Sequence, residues 1–212
     1  NAWTLSIYAL NNTMILNSPS SGMSQPFTIS GRFLDTLVIK NNIVTYDNPI
    51  SYFMNIQPFS HMEGGTLVPD VYHREVDYNA YSQLGGISGS TNFYPGERFG
   101  AWTLAEWLAD GWDSHSLFQN STDVHFNTRT SADFSDYYTT TGRDIGVNLS
   151  TDYPNIVAMF PDIAYDILGN PRSGNWDMGA LEYQGGQSNN INVNGKVFLQ
   201  GPFNTNSMRT DL

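Results

Sequence analysis

One stretch decides the fold expected for this chain: Asp166-Ile-Leu-Gly169-Asn-Pro171-Arg172-Ser-Gly174-Asn-Trp176-Asp177-Met-Gly179-Ala180-Leu181-Glu182-Tyr183. Gly169, Pro171 and Gly174 predict tight reversals, because glycine tolerates positive φ and proline holds φ near −65°. Arg172 is the one cation of this stretch, and its guanidinium can bind a carboxylate through two hydrogen bonds. We therefore predict a structural clamp rather than an active site, followed by a short half-buried strand up to Tyr183. The members of the predicted clamp are Asp166, Arg172, Asp177 and Glu182.

The same stretch resembles a family signature, Asp-x-x-Gly-x-Pro-Arg, a short gap, then Asp-x-Gly-Ala-x-Glu. This signature ends many bacterial secreted right-handed parallel β-helix proteins, often described as choice-of-anchor Q proteins. The residues that match it are Asp166, Gly169, Pro171, Arg172, Asp177, Gly179, Ala180 and Glu182. The resemblance implies an all-β fold, a right-handed parallel β-helix, in a secreted or cell-surface protein with a structural, assembly or adhesin role.

A weak internal repeat agrees with stacked parallel strands. Asn11-Asn12 precedes an apolar run, Asn41-Asn42 repeats the pattern thirty residues later, and Asn79 stands in a third variant. Asparagine amides can stack on one another in successive layers. The pattern therefore predicts a solenoid with long loops, whose last strands include residues 123–126 and 145–149.

One short helix is predicted near residues 103–110. Thr103 and Glu106 form a capping-box pattern, and Leu104, Trp107 and Leu108 make an apolar stripe. Gly111, Asp113, His115 and Ser116 then fit a Gly-x-Asp-x-His-Ser motif that often precedes the final turns of the same family. By that resemblance Asp113 and His115 have structural roles, with a base-and-orienter pair as the alternative.

The predicted domain organisation has three parts. Residues 1–184 form the C-terminal part of the β-helix, residues 185–190 a Gly- and Asn-rich linker, and residues 191–212 a tail or the start of a further β-module. Asn1-Ala-Trp-Thr has neither an initiator Met nor a targeting region, so a mature chain or a piece of a longer protein is expected.

Composition narrows the range of partners. The net charge of −11, from 20 acidic and 9 basic residues, argues against nucleic acid and anionic membranes. No apolar run is long enough for a membrane span. Few charges and many amides and aromatics suit a polysaccharide or another protein. We expect an extracellular or cell-surface location, and self-association or a neighbouring chain at an open N-terminal layer.

Enzymatic alternatives rest on weak signals. The candidate catalytic residues are Asp77, His73 and Glu75, in a loop-rich part of the chain, and a glycoside hydrolase would need two such carboxylates. A polysaccharide lyase would need a strong base, for which Lys40 is the candidate, although a solvated lysine is the simpler interpretation. We predict no catalytic constellation, and keep lyase or hydrolase as the alternative function.

Several aromatic and acidic residues are candidates for ligand binding. Trp102, Trp112 and Tyr94 could stack on sugar rings, although packing under the helix is the favoured interpretation of the tryptophans. No cofactor is predicted. Calcium at Asp133, Asp136 and Asp144 is an open alternative, as is zinc at His61, Glu63, His73 and Glu75.

Overall fold

The computed structural model describes most of the chain in separate segments. They comprise residues 5–16, 27–29, 34–46, 54–56, 60–63, 66–69, 73–83, 93–94, 101–120 and 141–184. The predicted strand at 123–126, the linker at 185–190 and the tail at 191–212 lie outside these residues.

Short strands dominate the first 120 residues. They are β1 (Leu5–Leu10), β2 (Thr13–Leu16), β3 (Phe27–Ile29), β4 (Leu34–Lys40), β5 (Ile43–Tyr46), β6 (Met54–Ile56), β7 (Ser60–Glu63), β8 (Thr66–Pro69), β9 (His73–Asp77), β10 (Ala80–Gln83), β11 (Phe93–Tyr94) and β12 (Leu117–Asn120). The helices are α1 (Leu104–Ala109), α2 (Leu149–Asp152), α3 (Pro154–Met159) and a 3-10 helix at Pro161–Ala164.

The strands pair in parallel across the sequence. Sheet order is β1-β4-β9 in the first sheet, β12-β10-β5-β2 in the second and β11-β6-β3 in a third, while β7 and β8 form an antiparallel pair. Strands β1, β2 and β3 therefore stand at one edge of their sheets; we call them the first layer. Strands β4 to β6 follow as the second layer, and β9 to β11 as the third.

Asparagines make the corner between the first two sheets. Asn11, Asn41 and Tyr78 have φ between 54° and 57°, the left-handed region that asparagine enters more readily than most residues. Each is followed by an asparagine whose amide bonds to the next layer: Asn12 Nδ2 donates to Asn42 Oδ1 (2.8 Å), and Asn42 Nδ2 to Asn79 Oδ1 (2.9 Å). These local turns explain why the strand pairs stay in register beside the corner, whereas β1 and β4 shift register at the far end of the pair, between Leu5 and Ser6.

The core lies between the sheets. Leu37, Ile39, Val44, Tyr46 and Trp107 belong to one buried cluster. Removing such side chains from water is the main term that stabilises the sheets, at roughly 1.5–3 kcal/mol for each large apolar residue.

The predicted fold class is wrong. The described residues show parallel sheets of three and four strands with several short helices, an α/β-like arrangement, and no β-helix solenoid is shown among them. The prediction failed most clearly in the C-terminal third. Residues 145–149, expected as a strand, lead into α2, and the expected strand before Tyr183 has no strand conformation.

Local chemistry explains these helices. The Asn148 side chain accepts from Ser150 N and caps α2, while Pro154 and Pro161 occupy the first turns of α3 and the 3-10 helix. Proline suits a first helical turn because that position needs no N–H donor. A five-residue alternation was too short to tell a strand from a helix start.

Helix α1 begins where the capping box predicts. Thr103 N donates to Glu106 Oε2 (2.7 Å), and Glu106 N donates to Thr103 Oγ1 (3.3 Å). Trp107 is the residue of the helix that is fully buried.

Residues 141–184 pack against the asparagine corner. Val147 N donates to Asn41 Oδ1 (2.8 Å) and Asn41 Nδ2 donates to Val147 O (2.8 Å). Ala180 N donates to Thr13 Oγ1 (2.9 Å), which attaches this segment to the first layer. None of the helices in the described part of the chain is long and apolar enough to cross a lipid bilayer.

Candidate functional site

The outward side of β9 carries a cluster of charged and ionisable side chains. Val76 packs into the core, so His73, Glu75 and Asp77, which alternate with it, lie on the opposite side of the strand. Thr36, Val38 and Lys40 stand opposite them on β4. We call His73, Glu75, Asp77, Lys40 and His115 the charged face.

Glu75 bridges a lysine and a histidine. Its Oε2 lies 2.6 Å from Lys40 Nζ and its Oε1 lies 2.6 Å from His73 Nε2. Lys40 is only 8 % exposed, and its ammonium lies 4.9 Å from the ring centroid of Tyr153. The interpretation of Lys40 as a solvated lysine is therefore wrong: the C-terminal segment covers it and Glu75 neutralises it.

Asp77 binds the loop that follows α1. Its Oδ1 accepts from His115 N (2.7 Å), and its Oδ2 lies 2.7 Å from His115 Nδ1. The His115 ring stacks on Tyr78 with centroids 4.8 Å apart. Asp77 thus orients His115, but the imidazole side chain is 60 % exposed.

A cleft of about 410 Å³ opens beside this face, between β9 and the turn after α1. Its lining is mostly polar and comprises Lys40, Arg74, Glu75, Val76, Asp77, Asp110, Gly111 and Trp112. Trp112 Nε1 donates to Asp110 Oδ2 (2.7 Å), and the Arg74 guanidinium carbon lies 5.9 Å from the Trp112 ring centroid. Burial lowers the pKa of Arg74, and the charge of Asp110 opposes that shift.

The tryptophans pack mainly on one another. Trp112 stacks on Trp107 at 4.6 Å, and Trp102 meets Trp107 edge-on at 6.4 Å. Both flanking rings belong to the margin of the main core. Trp112 also lines the cleft, so it is the candidate platform that the structure places at a concave surface. The side chain of Tyr94 lies outside the described residues.

The side-chain amides of Asn12, Asn42 and Asn79 bond to one another from layer to layer; we call this row the asparagine ladder. Asp113 is a buried carboxylate at its end. It accepts from Asn79 Nδ2 (3.1 Å), Trp107 Nε1 (2.9 Å), Tyr81 Oη (3.2 Å) and Ser116 Oγ (2.5 Å). Burial raises its pKa to about 6 despite these donors. All four donors belong to the protein and the residue is fully buried, so Asp113 acts in the structure and cannot reach a ligand.

Arg172 binds one carboxylate and two backbone carbonyls of the C-terminal segment. Arg172 Nη1 donates to Glu182 Oε2 (3.1 Å) and to the Asp177 carbonyl (3.2 Å), and Nη2 donates to the Gly179 carbonyl (2.8 Å). The carboxylates of Asp166 and Asp177 accept instead from backbone N–H groups, such as Glu182 N and Tyr183 N. The clamp thus holds backbone turns, and the expected bidentate guanidinium–carboxylate pair is not the form it takes.

The side chains of several predicted metal ligands are not among those that the structure describes. Asp133 and Asp136, and the side chains of His61 and Glu63, lie outside the described residues, so calcium and zinc binding there stay predictions. In the part of the chain that the structure describes, no group of three or more His, Cys, Asp or Glu side chains could hold a metal ion.

Comparison with known proteins found no matching family model, no matching curated protein and no matching solved structure. The resemblance to choice-of-anchor Q proteins therefore stays an expectation. Of the attributes that came with it, the solenoid is contradicted by the sheets described above, and the secreted and adhesin attributes have no support from these comparisons.

Sequence reasoning identified part of this site. His73, Glu75 and Asp77 were candidate catalytic residues in a part expected to be rich in loops, and the structure places them on one side of strand β9 instead. The roles of Lys40, Arg74 and Asp110 were missed, because they depend on which strands and turns become adjacent. The alternation of charged residues with Val76 was the signal that could have shown a shared face.

Proposed function

We propose that the protein is a non-catalytic structural or assembly protein that contacts a glycan through the cleft beside β9. One observation supports the absence of catalysis in this proposal. The carboxylates that line the cleft are each held by a donor of the protein: Glu75 by Lys40 and His73, Asp77 by His115, and Asp110 by Trp112. A general acid or base must exchange a proton with its substrate, and these pairs favour fixed charges instead.

The same pairs suit recognition of sugar hydroxyls. Paired carboxylates keep free lone pairs that accept hydrogen bonds, and cations beside them donate. Trp112 adds an aromatic surface, against which the apolar side of a sugar ring can pack. A neutral polysaccharide fits better than a polyanion, because the chain carries a net charge of −11. An extracellular or cell-surface location belongs to this proposal and rests on the low charge content alone.

The test combines binding and cleavage. The protein is titrated with soluble neutral glucans, xylans and mannans, and separately with a polyuronate, while tryptophan emission and release of reducing ends are recorded. We expect quenching by at least one neutral glycan and no new reducing ends. Absence of binding across the panel would refute the glycan contact.

A matched pair of variants locates the binding surface. Asp110→Ala removes an exposed acceptor of the cleft, and Asp162→Ala removes an exposed carboxylate on the 3-10 helix. Loss of one hydrogen bond to a charged group is worth about 1.5–3 kcal/mol. We therefore expect binding about tenfold weaker or worse for Asp110→Ala, and unchanged binding for Asp162→Ala.

A glycoside hydrolase is the second candidate. Glu75 and Asp77 share one side of β9, and alternate residues of a strand stand about 6.6 Å apart. Side chains that start at this backbone spacing can place two carboxyl groups about 6.5–9.5 Å apart, the separation that leaves room for a water molecule at a scissile bond. Reducing ends that appear with the wild-type protein and vanish with Asp77→Asn would favour this function over the first.

A further inference from the structure

The first layer forms one edge of three parallel sheets in the described residues. Strands β1, β2 and β3 each have a parallel partner on one side only in the described residues. Their sequences, Leu-Ser-Ile-Tyr-Ala-Leu, Thr-Met-Ile-Leu and Phe-Thr-Ile, contain no charged residue. Natural proteins usually protect edge strands with charges, proline or a covering element. This edge has none of the charges or prolines.

The asparagine ladder shows what the edge lacks. Asn42 Oδ1 accepts from both the N–H and the Nδ2 of Asn12 (3.0 and 2.8 Å). Asn79 Oδ1 accepts in the same way from Asn42 (3.0 and 2.9 Å). Asn12 Oδ1 is the equivalent acceptor of the first layer, and no donor reaches it from the described residues. The neighbouring Asn11 Oδ1 is buried, and no hydrogen-bond donor of the described segments reaches it either.

The opposite end of the ladder is closed. Asn79 Nδ2 donates to the buried Asp113 carboxylate, and Asn79 N donates to Ser116 Oγ (2.8 Å). Aspartate and serine replace the repeated asparagine there, and α1 packs over the core through Trp107. The ladder therefore has a direction. At its α1 end the amide oxygens accept hydrogen bonds, whereas at the first layer Asn12 Oδ1 receives no donor from the described residues.

From these contacts we infer that the first layer is a strand-addition site for an extended peptide segment parallel to β2 that bears an asparagine opposite Asn12. The segment's asparagine donates its N–H and side-chain amide to Asn12 Oδ1, repeating the two bonds that Asn12 makes to Asn42. Apolar side chains opposite Met14 and Leu16 extend the core, since both of these pack against it. Such β-augmentation takes its affinity from main-chain hydrogen bonds and its specificity from alternate side chains.

A two-fold pairing of two copies does not satisfy the ladder. Asn12 Nδ2 already donates to Leu10 O (3.1 Å) and to Asn42 Oδ1 (2.8 Å). A symmetric interface brings the same residue from both copies together, so two Asn12 acceptors would face each other without a side-chain donor. A foreign strand with its own asparagine supplies that donor.

The experiment uses the whole chain and a synthetic peptide with the sequence of residues 34–46, which holds the second-layer pattern Asn41-Asn42-Ile43. A control peptide replaces its second asparagine by aspartate. Fluorescence anisotropy of the labelled peptides measures affinity, and hydrogen exchange locates the binding surface. We expect saturable binding, about tenfold weaker or worse for the control peptide, and added protection within residues 6–16.

Variants of the protein test the location separately. The part of the peptide with the β4 sequence would pair with β1, as β4 itself does. Ser6→Lys places a charge on β1 and is therefore expected to weaken peptide binding about tenfold or more, whereas Ser150→Lys, on the exposed side of α2, leaves it unchanged. Both residues are exposed, so both variants should fold as the wild-type protein does. Circular dichroism and the melting temperature verify this.

Three results would overturn the inference. One is no binding of the asparagine peptide, and another is equal affinity for both peptides. The third is a concentration-dependent dimer, seen by light scattering without peptide and abolished by Ser6→Lys, because a second copy would then be the occupant.

Discussion

Replacing Asp113 by asparagine tests whether a buried charge terminates the ladder. The carboxylate is fully buried and accepts from four side chains, among which Trp107 and Asn79 are obligate N–H donors in these bonds. An asparagine at this position must turn its NH₂ group toward one of those two donors. Burying an unsatisfied donor costs about 1–3 kcal/mol, so Asp113→Asn should destabilise the protein in acid, where the wild-type carboxyl group is neutral.

The raised pKa of Asp113 determines whether its contribution to stability rises or falls with pH. Burial raises the pKa of Asp113 from 3.8 in an unperturbed chain to about 6 in the folded protein. The folded state then binds more protons than the unfolded state between these values, so the stability that Asp113 contributes falls as the pH rises through this window. The full effect of a shift of about 2 pKa units is about 3 kcal/mol. Between about pH 4.5 and about pH 7.5, we expect about 2 kcal/mol of it.

Urea unfolding of the wild-type protein and of Asp113→Asn, at several pH values, measures the difference directly. The free energy of unfolding of the wild-type protein should exceed that of the variant most at acidic pH. The difference should shrink by about 2 kcal/mol toward pH 7.5. Taking the difference cancels other titrating groups, such as Glu182, whose pKa burial also raises.

The exposed Asp162 provides the matched control. Asp162→Asn removes a carboxylate of the same type from the surface, and its effect on stability should be small at every pH. A difference between the wild-type protein and Asp113→Asn that stays constant from acid to neutral pH would refute the reasoning. A difference that grows toward neutral pH would refute it as well, because the carboxylate would then be stabilised when charged.

Three further substitutions have expected outcomes in thermal or urea unfolding. Arg172→Met leaves the Glu182 carboxylate buried without its cation and should lower the free energy of unfolding by about 3–5 kcal/mol. A loss below about 1 kcal/mol, together with an unchanged stability for Glu182→Gln, would contradict the clamp. Gly179→Ala should destabilise the protein more than Gly111→Ala. Both glycines have positive φ, but a Cβ at 179 would stand 2.6 Å from a threonine oxygen, whereas a Cβ at 111 meets nothing within 4 Å. Equal losses would show that backbone strain alone decides. Thr103→Ala should cost about 1 kcal/mol through the lost helix cap, and Thr103→Ser, which keeps the hydroxyl, should recover most of it.

Local features were predictable from the sequence because their partners lie within a few residues. The capping box joins Thr103 to Glu106 across three positions, and the Arg172–Glu182 pair spans ten. The asparagine turns were also visible, since the residues that make each turn are adjacent. Such features depend on side-chain chemistry and short loop closure, which the chain carries with it wherever it folds.

The fold class was not predictable in the same way. A resemblance and a period of two suggested strands through residue 183, but short alternating patterns also occur at helix starts. Asn148 and Pro154 began helices there instead. Local capping outweighed the pattern because no neighbouring strand was fixed by residues close in sequence.

What the sequence alone determined is the set of turns, caps and apolar runs, together with a chain too acidic to favour nucleic acid. Tertiary structure decided which charges meet: Lys40 reaches Glu75 across 35 residues, and Asp77 reaches His115 across 38. The physical reason is that parallel pairing joins strands whose spacing along the chain is set by loops. The register of that pairing, rather than any motif, places a charge beside its partner, buries Asp113 and leaves the acceptor of Asn12 open.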